Sequence, residues 1–196
     1  MKRIAILIDA DNIFMGIKKI YNARLDYKKL VDMIKGERIL IRAIAYVPVA
    51  VGVSSKKNLI KALKQEGIDV KELEVQIKGN RTARIGAEVP MTIDALLLMS
   101  KVDVIGIVTG NGNFYPLVKH LRETGLEVEV YGFGKSTSRY LKNFATRFID
   151  LSNYIEKIII KPEFKGTSPH TDQTEKFRYT AEKNPETSGD APSSIQ

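Results

Sequence analysis

Two short runs in this chain are apolar almost without interruption, Ile4–Ile8 and Val104–Val108, and each ends in a polar cluster, Asp9–Asn12 and Thr109–Asn113. Runs of that length predict strands buried on both faces of a parallel sheet. Between and after them the apolar positions change period. Ile13, Ile17 and Ile20 share one helical face, and Tyr27, Leu30, Val31 and Ile34 follow the i, i+3, i+4, i+7 pattern between Asp26, a capping residue, and Gly36, a stop. Arg38–Val47 reads as a strand ended by Pro48, and Ser54 or Ser55 starts a helix with Leu59, Ile60 and Leu63 inside and Gly67 as its stop.

Ile68–Ile77 alternates partially and carries charges, the pattern of an exposed or edge strand. Gly79–Gly86 is a polar, basic loop leading into an apolar helix, Glu88–Ser100, with Pro90 in its first turn. A further helix has Phe114, Leu117, Val118 and Leu121 on one face and stops at Gly125; Glu127–Tyr131, Ser136–Asn143 and Arg147–Leu151 read as strand, helix and strand. Strands alternating with helices through short connections predict an α/β fold, three-layer and doubly wound around a mostly parallel sheet. This domain is placed at residues 1–160. Residues 161–196 have few apolar positions and are rich in Thr, Ser, Pro, Glu and Lys, so they read as a flexible polar tail.

Charge adds a partner to this picture. The net charge is +8 from 31 basic and 23 acidic side chains; residues 161–196 hold five and six of these, leaving 26 against 17 in residues 1–160. Such an excess on a compact domain points to a polyanion, nucleic acid before membrane, because no basic amphipathic helix with an aromatic face is evident. The chain has no cysteine, which excludes thiol nucleophiles and thiolate metal sites and suits a reducing cytoplasm. No apolar run approaches membrane-spanning length. No phosphate-cradling glycine loop marks a nucleotide cofactor, and no histidine pair has metal-ligand spacing.

The candidate chemistry lies where the two buried strands end. Open α/β sheets bind ligands beyond the carboxyl ends of their strands, and carboxylates there are natural ligands for Mg²⁺ or Mn²⁺. Asp9, Asp11 and Asn12 stand at the first end and Asn111 and Asn113 at the second, with Glu88 and Asp94 on the helix before it. The same Asp and Asn residues also suit helix caps and turns. Asp94, inside so apolar a helix, is unusual. Tyr46 and Phe133 are aromatic residues able to stack on bases, with core packing the plainer reading.

The order of these pieces resembles the NYN branch of the PIN-like nucleases, specifically its LabA-like members. Those show a first strand ending D-x-x-N, a helix of the form D-x-x-x-x-x-D-A, a strand ending S-G-D-x-D-F-x-P-L, and a later V-x-V-x-G-F. The matching residues here are Asp9 and Asn12, then Glu88 and Asp94–Ala95, then Thr109–Leu117 (TGNGNFYPL), then Val128–Phe133 (VEVYGF), all within residues 3–152. The resemblance implies a metal-dependent ribonuclease acting on RNA, its carboxylates gathered on Mg²⁺ or Mn²⁺. Asp9 would be the central ligand, Asn12 a positioning group, Glu88 and Asp94 further ligands or a base, and Asn111 a neutral ligand beside Asn113. Lys78, Arg81 and Arg84, with Lys135 and Arg139, would hold phosphates.

The chain departs from that pattern where the family carries acids. Asn111 and Asn113 stand at two acidic positions and Glu88 at an Asp, so the site loses two formal negative charges and its hold on a divalent cation weakens. The alternative is a catalytically silent RNA- or protein-binding module on the same fold. A third reading takes Asp9-Ala10-Asp11 as the D-x-D of a haloacid-dehalogenase-like phosphatase, but that resemblance stops after the motif. A second copy of the chain, or a protein partner engaged through the tail, is left open.

Overall fold

The computed structural model describes residues 1–50, 56–78, 81–84 and 86–160, with backbone alone at 50, 76–78 and 81–84. The expected tail, and Ser54 and Ser55 as helix starters, lie outside the described residues. The chain runs β1 (Arg3–Asp9), α1 (Ala10–Tyr21), α2 (Tyr27–Lys35), β2 (Ile39–Ala50), α3 (Lys57–Gln65), β3 (Asp69–Lys78) and β4 (Arg81–Arg84). It continues through α4 (Glu88–Leu98), β5 (Val104–Val108), α5 (Tyr115–Glu123), β6 (Glu127–Gly132), α6 (Arg139–Phe144), β7 (Arg147–Asp150) and α7 (Ile155–Ile158). The fold is the α/β class read from the pattern.

One sheet has the order β4-β3-β2-β1-β5-β6-β7. Six strands are parallel, and β4 is an antiparallel addition to β3. From β1 the chain winds outward through β2 and β3, then returns to β5 on the other side of β1 and winds outward again. That reversal makes the β1/β5 junction a topological switch point, where strand ends splay apart and leave a crevice.

Alternation along the strands divides the core into two layers. Ile4, Ile6 and Ile8 face α1, α2, α3 and α7, whereas Ala5 and Leu7 face α4, α5 and α6. Every residue of β1 after Arg3 is buried, and so is all of β5. The helices bury the faces their periodicity marks: Tyr27, Leu30, Val31 and Ile34 are the buried positions of α2, whose cap Asp26 accepts from the Lys29 N–H at 3.0 Å.

Three sequence expectations change. Pro48 does not end its strand: β2 runs to Ala50, with Pro48 registered against Leu73 of β3. Pairing of β2 with β1 stops at Tyr46, so beyond it one edge of β2 has no strand partner and a proline, which lacks an N–H, costs no ladder bond there. The segment read as a basic loop contains β4, and β3 is an inner strand because β4 covers its outer edge. After β7 a turn of 3₁₀ helix and α7 follow; backbone bonds from Asp26 to Ile158 (2.8 Å) and from Ile160 to Arg24 (2.9 Å) tie this end to the entrance of α2.

A buried charge cluster locks the layer under α2. Glu129 of β6 is fully buried, and its Oε2 accepts from Arg38 (2.9 Å) and from the Tyr131 hydroxyl (2.5 Å), while Arg147 pairs with Oε1. Arg38 also donates to the carbonyls of Ile34 and Lys35, holding the C-terminal end of α2. Burial pushes the Glu129 carboxyl up, but these donors outweigh it and leave it below its ordinary value. Glu129→Gln should therefore cost about 3 kcal/mol at pH 7, measured by urea unfolding, since removing one partner leaves a guanidinium uncompensated. Because the folded-state value is depressed, the difference should be complete above the ordinary 4.5 and should shrink as pH falls below it.

Candidate functional site

Asp9 is the last residue of β1, on the same face as Leu7 and therefore beneath the layer that contains α4. It caps α1: its Oδ1 accepts from the Asn12 N–H at 3.3 Å. Its Oδ2 accepts from the Thr109 hydroxyl at 3.0 Å, and Thr109 is the first residue past β5. Thr109 Oγ1 accepts in turn from the Asn111 N–H at 3.1 Å, and Asn12 Oδ1 from the Gly110 N–H at 2.7 Å. These bonds lace the two strand ends together across the switch point. Gly110 is required by the closeness of the lacing, since a Cβ there would sit 3.1 Å from the Ser136 carbonyl and 3.3 Å from Asn12 Oδ1.

Glu88 opens α4 and reaches the same place. Its Oε1 accepts from the side-chain amides of Asn111 (2.8 Å) and Asn113 (3.2 Å), while Asn111 Oδ1 accepts from the Asn113 N–H at 3.0 Å. The two asparagines thus act as a turn cap and as donors to a carboxylate. A Cβ on Gly86 would fall 1.8 Å from Glu88 Oε2, so glycine there leaves room for the carboxylate.

Asp94 lies further along α4 and is buried with partners of its own. The Tyr46 hydroxyl donates to its Oδ2 at 2.5 Å and Lys71 Nζ to its Oδ1 at 2.7 Å. Asp9, Tyr46 and Lys71 are register neighbours across β1, β2 and β3, so the Asp94 carboxylate rests on the row of the sheet that begins with Asp9.

The electrostatics differ between the carboxylates. Burial raises the Asp9 carboxyl above its ordinary value; the bonds from Thr109 and Asn12 act against this, and the negative charges of Glu88 and Asp11 add to it. Burial also acts upward on Glu88, but its own backbone N–H and the amides of Asn113 and Asn111 overcome it and leave the group lowered. Tyr46 is pushed up by burial and then by Asp94, so it stays a proton donor. Of these carboxylates Asp9 is the one raised above its ordinary value, chiefly by burial.

Of the residues singled out in the sequence, the fold gathers Asp9, Asn12, Glu88, Asn111 and Asn113, with Asp94 alongside. Arg139 and Lys135 are exposed near the cluster, since the Ser138 N–H donates to the Gly110 carbonyl at 3.1 Å. The backbones of Lys78, Arg81 and Arg84 belong to the β3–β4 pair, and their side chains lie outside the described residues. Asp11 sits in the first turn of α1, 3.7 Å from Lys56. Tyr46 and Phe133 are core residues. Sequence reasoning missed Thr109 and Lys71. Thr109 was signalled by its place directly after a buried strand; Lys71 needed the register of β3 against β2.

No group of three or more His, Asp or Glu side chains is arranged to hold a metal among the described residues. Mg²⁺ commonly takes one or two carboxylates and completes its shell with water and substrate phosphate. Asp9 and Glu88 fit that limited role; Asp94 is already neutralised by Lys71.

The chain matches the NYN domain over residues 3–154. It belongs to the NYN domain family. NYN domains are in general a nuclease group within the PIN-like superfamily. Among solved structures, a protein of unknown function from Vibrio parahaemolyticus is 24% identical with a TM-score of 0.72, covering 81% of this chain and 96% of its own. It shares the fold. A cobalamin-binding protein from Desulfitobacterium hafniense is 14% identical with a TM-score of 0.27, over 66% of this chain and 63% of that one, too little for any argument. No curated protein matches the chain.

Asp9→Asn should stabilise this NYN domain at pH 7 and raise its Tm. A raised carboxyl opposes folding while it is ionised, and the penalty fades as pH drops through the folded value toward the ordinary 3.8. The gap between variant and parent in thermal unfolding should thus be widest near neutrality and close only once pH falls below the ordinary 3.8. A gap independent of pH would assign the effect to packing.

Proposed function

We propose that this NYN domain is a metal-dependent ribonuclease-like protein, of the LabA-like branch, that acts on RNA phosphodiesters. The observation that carries the reading is Asp9, a buried carboxylate with a raised pKa fixed at the β1/β5 switch point beside Glu88. Asp9 and Glu88 would hold a Mg²⁺ or Mn²⁺ ion. Such an ion, when bound, activates water and neutralises charge building on the phosphoryl group. The chain's own residues do the rest. Thr109 and the Asn12 backbone fix the Asp9 carboxylate in one orientation, and the Asn12 side chain holds the Gly110 turn. Lys135 and Arg139, exposed near the cluster, would hold phosphates, with Lys78, Arg81 and Arg84 the further candidates named in the sequence.

The domain's positive balance favours RNA as the partner, and the absence of cysteine suits a cytoplasmic setting. No described helix is long and apolar enough to cross a membrane. The phosphatase reading loses support because Asp11, its general acid, sits beside Lys56.

A specific observation favours a second reading, a silent binding module. Asn111 and Asn113 satisfy Glu88 through amide N–H groups, so the cluster is electrostatically closed without a cation at that carboxylate.

Cleavage of end-labelled single-stranded RNA with Mg²⁺ or Mn²⁺ separates the two. The parent should cut, and both Asp9→Asn and chelation should reduce the rate at least 100-fold, consistent with loss of a metal-held nucleophile. Cutting only after Asn111→Asp/Asn113→Asp would establish the binding-module reading. Inactivity of all forms, with no RNA binding in a filter assay, would overturn both.

A further inference from the structure

Three aromatic rings meet at the surface where α5 and α6 come together. Tyr115, the first residue of α5, has its ring centroid 5.7 Å from that of Tyr140 and 5.3 Å from that of Phe144, both on α6. The set is graded. Phe144 packs against the core, Tyr115 is 37% exposed and Tyr140 is 65% exposed. Tyr140 thus presents its ring to solvent while its neighbours hold it, whereas Tyr46 and Phe133, the aromatic residues the sequence suggested for stacking, are buried.

The surface around the rings is basic. Tyr115, Lys119 and Arg122 stand at i, i+4 and i+7 and so share one face of α5, which continues past the rings into a hollow of about 250 Å³ lined by Lys119, Arg122, Glu123 and Phe144. Residues 115–123 and 133–146 carry five Lys and Arg side chains, Lys119, Arg122, Lys135, Arg139 and Lys142, against one acid, Glu123, which lies 3.8 Å from Lys119. Arg122 donates to the neutral carbonyl of Phe144 at 2.9 Å, which leaves its charge in place. The rings also adjoin the Asp9 cluster. Tyr115 is two residues beyond Asn113, whose amide donates to Glu88, and Tyr140 is two residues beyond Ser138, whose N–H donates to the Gly110 carbonyl at 3.1 Å. Two residues of chain span at most about 7 Å.

We propose that Tyr140 and Tyr115 form a base-stacking platform that holds unpaired RNA beside the Asp9 cluster, with Lys119, Arg122 and Arg139 on its phosphates, a role that rests on RNA being the partner proposed above. Charge complementarity chooses the occupant. Exposed rings alone would suit a protein partner, but rings set among five cations and one acid suit a chain that carries a phosphate for every base. The rings also choose the form of RNA. In a duplex the faces of the bases are covered by neighbouring pairs, whereas an unpaired base offers its whole face to a tyrosine. The platform thus makes a single strand the substrate class, with little preference for sequence, since every base has such a face.

The test compares binding of a labelled oligo-uridine RNA of about 12 nucleotides, with metal chelated so that nothing is cut, against an abasic strand of equal length. The parent should bind the uridine strand more tightly, and Tyr140→Ala should weaken that binding roughly tenfold or more while leaving the abasic strand and the thermal transition unchanged. Tyr140→Phe should bind like the parent, which a hydroxyl contact would not allow, and Arg139→Gln should weaken both strands alike. The chain has no tryptophan, so Tyr140→Trp provides a single indole whose emission the uridine strand should quench. A parent that binds RNA, with Tyr140→Ala its equal or weaker on both strands alike, would overturn the platform and leave the ribonuclease-like reading standing. A parent that binds neither strand, with or without Mg²⁺, would overturn both. Indole emission that shifts with protein concentration in the absence of RNA would put a second copy of the chain on the rings, and would overturn the platform as well.

Discussion

The architecture depends on β1 being satisfied on both edges and both faces at once. Its backbone pairs with β2 and β5, and its side chains from Ile4 onward pack into two different layers. A strand so enclosed cannot carry a polar residue anywhere except at its end, because an unpaired buried polar group costs several kcal/mol. Asp9 stands at that end, at the junction where the chain switches from winding one way to winding the other. The bond from Thr109 answers the same constraint from β5, so the two central strands are joined beyond their last ladder pair by the residues that form the site.

That arrangement sets the electrostatic character of the cluster. Asp9 has two donors, but burial and two neighbouring acids still raise it, so its ionised form is held at a cost to the fold. Glu88 is in the reverse condition because two amides point at it. Acids at positions 111 and 113 would turn those donors into further negative charge and make the cluster dependent on a cation. Asparagine there offsets the Glu88 charge by dipoles instead. Lys71 does for Asp94 what the amides do for Glu88, supplying the counter-charge from the protein itself.

Much of the fold was legible because the period of apolar residues is set by local geometry. The buried runs, the stripe of α2 and the helix after Asn113 are all found where periodicity puts them. What was not legible depends on pairing. Whether Pro48 interrupts β2 turns on where β1 stops, and whether Arg81–Arg84 is loop or strand turns on an edge of β3 that sequence does not reveal. The site follows the same division. Asp9, Asn12, Asn111 and Asn113 sit at strand ends and could be read directly, whereas the partners of Asp94 come from two other strands brought into one row.

Helix α4 joins these levels. In the sequence its one conspicuous feature was Asp94, a charge among apolar residues; in the fold Asp94 is accounted for by Tyr46 and Lys71, and the conspicuous residues are Val89, Ile93, Leu96 and Leu97, apolar and exposed. Periodicity alone could not separate these cases, because a helix apolar on both sides gives no phase from which to tell inside from outside. The distinction has a consequence for the site. Glu88 and Asp94 hang from the inner side of the helix whose outer side is unpaired, so any contact that fixes the outer side also fixes where both carboxylates stand relative to Asp9. A rigid element holds such groups more accurately than a loop does. Covering α4 would therefore stabilise the geometry of the cluster without touching it.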